Sequence, residues 1–242
     1  MYGDSSGDGG AIRSAGNLTL EEVEFYQNRA DSGGALFMVG NPDSGQERPV
    51  TIRSSYFLEN SSNGNGGAIA MTSSRYDMDI VDSTFEANHA DASGGAIHMA
   101  MPRGNAWLGN TTITGNSADQ GVGGIDLREV VSDGEAVPGV DIVNTTIVDN
   151  TNDSGGPGGI DVGADADGSG NDRKRDFGLN NSILADNGNN NSKNSCSSES
   201  KADTEPFDEL RFTLLSNSGE ADNCFSNSED VENCSSSGDN TS

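Results

Sequence analysis

The chain is poor in the residues that ordinarily build a core. Leu, Ile, Val and Phe together number 43 of 242 residues, with a formal net charge of −26, a composition typical of disordered chains. Lysine is nearly absent, 3 against 25 aspartates, so nucleic acid and anionic membranes are poor partners for this surface. No apolar run approaches the roughly 18 residues of a membrane-spanning helix, so no membrane-spanning segment is expected. With 2 histidines in the chain, imidazole catalysis has few places to sit. The 3 cysteines, Cys196, Cys224 and Cys234, all fall near the C-terminus, and an odd number leaves one of them unassigned. If this chain folds, the reason lies in the order of its residues.

That order is a repeat. GGAI occurs at 9–12, 66–69 and 94–97, with GGAL at 33–36 and looser copies as GGIDL from Gly123 and GGIDV from Gly158. Between them stands FxxN, as FYQN at 25–28, FLEN at 57–60 and FEAN at 85–88, continuing as ITGN, IVDN and LADN. Around each motif the apolar residues alternate: Leu36/Met38, Ile69/Met71 and Ile97/Met99 in the first half, Leu18/Leu20, Val50/Ile52 and Met78/Ile80 in the second. Period-2 alternation with no 3.6-residue stripe predicts strands throughout. The positions between the inward pairs, Arg13, Phe37, Ala70, His98, Asp126 and Asp161, are too mixed for a core and are expected to face solvent.

Short strands recurring every 24 to 35 residues predict an all-β fold, a parallel β-helix (solenoid) of about six turns over residues 1–190. Residues 191–242, rich in Ser, Asn and Asp, read as an irregular cap or tail. Stacking explains how so little apolar material suffices, because each turn buries its inward face on the next. Gly-Gly is expected at a sharp corner that needs positive φ, with Asn as the next most tolerant residue. Asn28, Asn60, Asn88, Asn116, Asn150 and Asn187 are expected to hydrogen-bond in a ladder along the axis, as stacked amides do in cross-β assemblies.

The string Asp153-Ser154-Gly155-Gly156-Pro157 matches the nucleophile loop of trypsin-like proteases. However, Asp-Ser-Gly-Gly also occurs at 31–34, which makes it a corner of the repeat, and a triad needs a placed imidazole. The units differ chiefly in one interval, where insertions produce the loops 39–49, 128–139 and 163–176. All three emerge on one edge of the coil, and such insertions often mark a binding face, although loop lengthening is also cheap drift. Within the last loop, DADGSGNDRKRD partly matches an EF-hand calcium loop through Asp165, Asp167, Ser169 and Asp176. It lacks the terminal Glu and flanking helices, and it carries Arg173, Lys174 and Arg175.

GGA(I/L) alternating with FxxN resembles the repeats of the polymorphic outer-membrane proteins of chlamydiae, and more widely secreted right-handed β-helix proteins. The resemblance spans residue 9 to about 190. It implies a right-handed parallel β-helix at the cell surface, adhesin-like and binding carbohydrate or a cell-surface protein. A β-barrel translocator and a signal peptide are missing from the pattern, so a portion of a longer protein is expected. Segments such as NNSILADN…SC resemble the ends of related secreted β-helices, where the last turn enters a cysteine-tied cap. This favours a Cys196–Cys224 disulfide, with three free thiols in a tail as the alternative, and Phe207, Leu210, Phe212, Leu214 and Leu215 as material to cover the open end. A polysaccharide lyase or glycoside hydrolase is the enzymatic alternative, for which Asp126 and Asp161 are stacked carboxylates; no catalytic set stands out. The excess of Asp over Lys resembles the surfaces of proteins from high-salt organisms, and stability is expected to rise with salt.

Overall fold

A computed structural model of the chain describes residues 3, 6–39, 48–72, 76–100, 105–129, 139–164, 177–188, 196–198, 209–211 and 214–216. Among them there is no helix, hence none long and apolar enough to cross a membrane. The strands form four parallel sheets that the chain visits in rotation, the fourth in the first five windings only.

The first sheet contains Ile12–Ser14, Leu36–Val39, Ile69–Thr72, Ile97–Ala100, Ile125–Glu129, Ile160–Ala164 and Cys196–Ser198. The second contains Leu18–Glu21, Arg48–Arg53, Tyr76–Val81, Ala106–Gly109, Val140–Val143, Phe177–Asn180 and Glu209–Arg211. The third runs from Glu24–Tyr26 through Tyr56–Leu58, Thr84–Glu86, Thr112–Thr114, Thr146–Val148 and Ile183–Ala185 to Leu214–Ser216. A narrow fourth sheet is built from the two-residue strands Arg29–Ala30, Ser61–Ser62, His89–Ala90, Ser117–Ala118 and Thr151–Asn152. The molecule is a parallel β-solenoid.

Register carries the repeat directly into the core. Phe25, Phe57 and Phe85 are paired in sequence and fully buried. Their rings stack at 4.7 and 4.6 Å between centroids, tilted by 15° and 5°. Offset or parallel aromatic contacts add about 0.5–1.5 kcal/mol per pair beyond burial. Ile113, Ile147 and Leu184 continue this file. Met38, Met71, Met99 and Leu127 form another, and Leu20, Ile52, Ile80, Leu108, Ile142 and Leu179 a third.

The two glycines of each corner do different work. The first, Gly33, Gly66 or Gly94, has φ of 60°, 68° or 69°, where an L side chain is strained. The second is a matter of space: a Cβ on Gly67 would lie 2.1 Å from the Gly95 carbonyl oxygen. The looser copies are one residue out of step with this arrangement. Ile97 pairs with Ile125 and Ile125 with Ile160. Val122-Gly123 and Pro157-Gly158 therefore occupy the Gly-Gly place, and Gly124 and Gly159 replace the alanine. Only the close approach is retained there, since neither Val122 nor Pro157 is left-handed.

Nor does the ladder Asn take the left-handed conformation expected of it. The residue before it does: Gln27, Glu59, Ala87, Gly115, Asp149 and Asp186 have φ from 49° to 63°. Turning the chain one residue early points the next side chain inward, where its amide is needed. A second left-handed series, Glu22, Ser54, Asp82, Asn110, Asn144 and Asn181, makes the corner between the second and third sheets.

Past residue 190, Cys196–Ser198, Glu209–Arg211 and Leu214–Ser216 each add a strand to a sheet. The backbone of Leu210 pairs with that of Leu179 and Leu215 with Leu184. The tetrapeptides are lost while the spacing of their apolar residues persists.

Candidate functional site

The connections between the first and second sheets vary most in length from winding to winding. From the first to the second sheet the chain crosses from Val39 to Arg48, Thr72 to Tyr76, Ala100 to Ala106, Glu129 to Val140 and Ala164 to Phe177. The crossings from second to third and from third to fourth sheet take two residues in each winding. The interiors of the loops, including Asp165, Asp167, Ser169 and Asp176, lie outside the described residues. So do Cys224 and the side chain of Cys196, the proposed disulfide.

Beside these connections stands Trp107, the sole tryptophan and 45% exposed. It is the second residue of Ala106–Gly109, immediately past a crossing. A Cβ on Gly109 would lie 2.6 Å from Trp107 Nε1 and 3.5 Å from Cδ1 and Cε2. The indole therefore meets the glycine two residues on through its Nε1 edge. In register on either side are Asp79 and Asp141, and both lean away from the ring. Asp79 pairs with Arg53 at 2.6 Å, and Asp141 Oδ1 lies 2.6 Å from where a Cβ of Gly178 would sit. An exposed aromatic side chain between two acids is the result.

The file expected to face solvent is largely buried. Of its members only Arg13 is exposed, while Phe37, Ala70, His98, Asp126 and Asp161 are all at most 7% exposed. The physical reason is the corner ahead of each strand, which folds back over the file: a Cβ on Gly94 would lie 2.9 Å from His98 Cβ. Its early part is apolar, with Arg13 over the Phe37 ring at 5.9 Å. Its later part is a chain of charges. His98 Nδ1 lies 3.0 Å from Asp126 Oδ2, Arg128 Nε 2.7 Å from Asp126 Oδ1, and an Arg128 terminal nitrogen 2.9 Å from Asp161 Oδ2. Burial works to raise the Asp126 pKa. The His98 hydrogen bond and charge, the Arg128 guanidinium and the Ser93 hydroxyl outweigh it and hold the carboxyl below its ordinary value. Asp126 and Asp161 do stack in register, but Arg128 bridges them.

The asparagines form a continuous chain of amides. Each backbone N–H and each side-chain Nδ2 donates to Oδ1 of the next, from Asn28 to Asn60, to Asn88, to Asn116, to Asn150 and to Asn187. Nδ2 also donates to a carbonyl of the preceding winding, as Asn88 does to Phe57 at 3.0 Å. All six are fully buried.

A hydroxyl ladder at the opposite corner escaped the sequence reading. Ser55, Ser83, Thr111, Thr145 and Ser182 are buried, and Val23 N–H donates to Ser55 Oγ, Ser55 N–H to Ser83 Oγ and Thr145 N–H to Ser182 Oγ. The signal was present, since the second motif is (S/T)x(F/I/L)xxN from the second unit onward. Ser154 sits in a turn, its hydroxyl 2.6 Å from the Gln120 carbonyl and 2.8 Å from Asn152 Oδ1. Neither contact activates a nucleophile. Among the described residues, one donor set, His89, Asp91 and Asp119, is spaced to hold a metal ion.

Residues 54–72 and 82–99 match the model of the Chlamydia polymorphic membrane protein repeat. No curated protein and no solved structure matches the chain. The matched windings carry two FxxN and two GGAI motifs, and they stack in register in the solenoid. The chain is a β-helix repeat protein in which two windings are similar to the polymorphic-membrane-protein repeat. That repeat indicates a surface-exposed, adhesin-like molecule.

Proposed function

We propose that this polymorphic-membrane-protein-like β-helix is an extracellular adhesin-like binder that takes a neutral or amino-sugar glycan on the face beside its loop edge. The observation that carries this reading is Trp107, an exposed indole held with its Nε1 edge against Gly109. A sugar ring presents an apolar C–H face to such a platform and directs its hydroxyls to the flanks, where Asp79 and Asp141 stand in register. Those acids and the net charge of −26 disfavour acidic sugars. The crossings immediately before Trp107 and on the adjacent windings supply further contacts at one edge, as loops on a rigid scaffold commonly do.

A glycan array of neutral, amino and acidic oligosaccharides, followed by titration of the hits against tryptophan emission, tests this. With one tryptophan in the chain, any change in emission reports on this site. Trp107→Ala is expected to weaken binding at least tenfold and leave the melting temperature within a degree or two, because a side chain this exposed contributes little to the core. Binding that leaves Trp107 emission unchanged, or that survives Trp107→Ala, refutes the platform. A partner protein engaged through the long crossings is the second reading, favoured by their shared edge; loop-shortened variants that lose cell binding with Trp107 intact select it.

A further inference from the structure

The fourth sheet carries a pile of like charge. Asp91, Asp119 and Asp153 follow equivalent two-residue strands, and their N–H groups donate to Ser62, Ala90 and Ala118 carbonyls, so the three stack on successive windings. Like charges one strand apart repel. In the two preceding windings an amide separates the charges: Asn63 donates to Asp31 at 3.1 Å and Arg29 donates to Asn63 at 3.0 Å. Beside Asp91 and Asp119 stands an imidazole instead.

His89 Nε2 lies 3.3 Å from Asp91 Oδ1 and 3.6 Å from Asp119 Oδ1, and the three donor atoms all fall within 4.8 Å of one another. Zinc bonds to nitrogen and carboxylate oxygen are about 2.0–2.2 Å, which makes the edge of a tetrahedral site about 3.4 Å. The two edges from His89 already stand at that spacing. Nδ1 is held separately, 2.9 Å from Ser117 Oγ on the next winding, as metal-bound imidazoles are oriented through their other nitrogen. The geometry points to a binding site for a borderline divalent transition ion, such as Zn²⁺, formed by His89 Nε2, Asp91 and Asp119. The fourth position is left to water. An imidazole ligand and short edges select against Ca²⁺, which takes six to eight oxygens at longer bonds. Such an ion joins two windings and offsets the aspartate pile.

The competing arrangement is a protonated His89 bridging both carboxylates with no metal. Imidazole NMR separates the two, because the chain has 2 histidines and the buried His98 serves as internal reference. In a Zn²⁺ titration of the whole chain at pH 7.5, the His89 ring signals are expected to shift while those of His98 stay. His89→Gln should weaken Zn²⁺ binding at least tenfold, Asp119→Asn severalfold, and millimolar Ca²⁺ should not displace the ion. These side chains are roughly half-exposed, so melting temperatures without metal should be unchanged, which checks that the variants fold. Unshifted His89 signals, or a His89→Gln variant that binds Zn²⁺ as tightly as the parent, overturn the site and leave the protonated bridge.

Discussion

Two of the buried polar systems in this solenoid obey opposite rules. The asparagine ladder repeats one residue at each winding, whereas the His98–Asp126–Arg128–Asp161 chain changes residue at almost every step. A solenoid stacks each position on its copy, so a buried residue can recur only if it complements itself. An amide does, offering donors and an acceptor, and so do Phe rings and Gly-Gly backbones. A carboxylate or a guanidinium does not, and when either enters the stack its neighbours must carry the opposite charge. Periodic positions are therefore architecture, and aperiodic buried charge marks where the repeat was set aside.

The sharpest way to break this contrast is to make a ladder residue non-complementary. Asn88→Asp keeps shape and acceptor but removes the donors to Asn116 Oδ1 and the Phe57 carbonyl. It also sets a charge against two oxygens in a fully buried place. Unsatisfied buried groups cost about 1–3 kcal/mol each, more for charged ones, so a loss of about 4 kcal/mol or more is expected in denaturant unfolding at pH 7. Asn88→Ser, which keeps some hydrogen bonding, should cost less. Equal costs for the two would mean that the ladder works by shape alone.

The charged chain should break differently. Arg128→Met leaves Asp126 and Asp161 buried and facing each other, and removal of one partner from a buried ionic set costs about 3–5 kcal/mol. Replacing the whole set with apolar residues, as Phe37 and Ala70 fill the same file two windings earlier, should cost about 1 kcal/mol or less. No such apolar rescue is expected for the ladder, whose donors also serve main-chain carbonyls. Thermal melts of Arg128→Met beside the fourfold apolar variant decide it.

The same rule explains what was legible in the residues. GGA(I/L) and FxxN announced the strands, their stacking into a coil and the ladder because self-complementary residues must recur to work. The hydroxyl ladder was equally legible but hidden by Ser/Thr exchange. The burial of His98, Asp126 and Asp161 was not, because a mixed file reads as surface unless the fold-back of the preceding corner is known. Trp107 and the His89 set were illegible for a related reason: each depends on what the neighbouring windings place beside one residue. The one-residue slip at Val122-Gly123 shows the limit of matching letters, since Gly124 substitutes for alanine and only pairing reveals it.

The smallest expected effect is on acid stability, and it has a definite sign. The His98 and Arg128 partners hold the Asp126 carboxyl below its ordinary value, so its contribution is complete above the unfolded pKa and is lost as pH falls through the folded one. The groups facing it are His98, Arg128, Asp161 and Ser93. Acid also neutralises the net charge of −26, which relieves repulsion across the whole chain and works the other way. The parent's own pH curve therefore mixes two opposing trends. Subtracting the curve of Asp126→Asn, which shares the global relief but has no carboxyl at this place, isolates the local part. The stability advantage of the parent should be constant above about pH 5 and shrink below it. An advantage that stays flat to pH 2 would mean that His98 and Arg128 do not hold the carboxylate, and that this charged stretch is as indifferent to protonation as the amide ladder beside it.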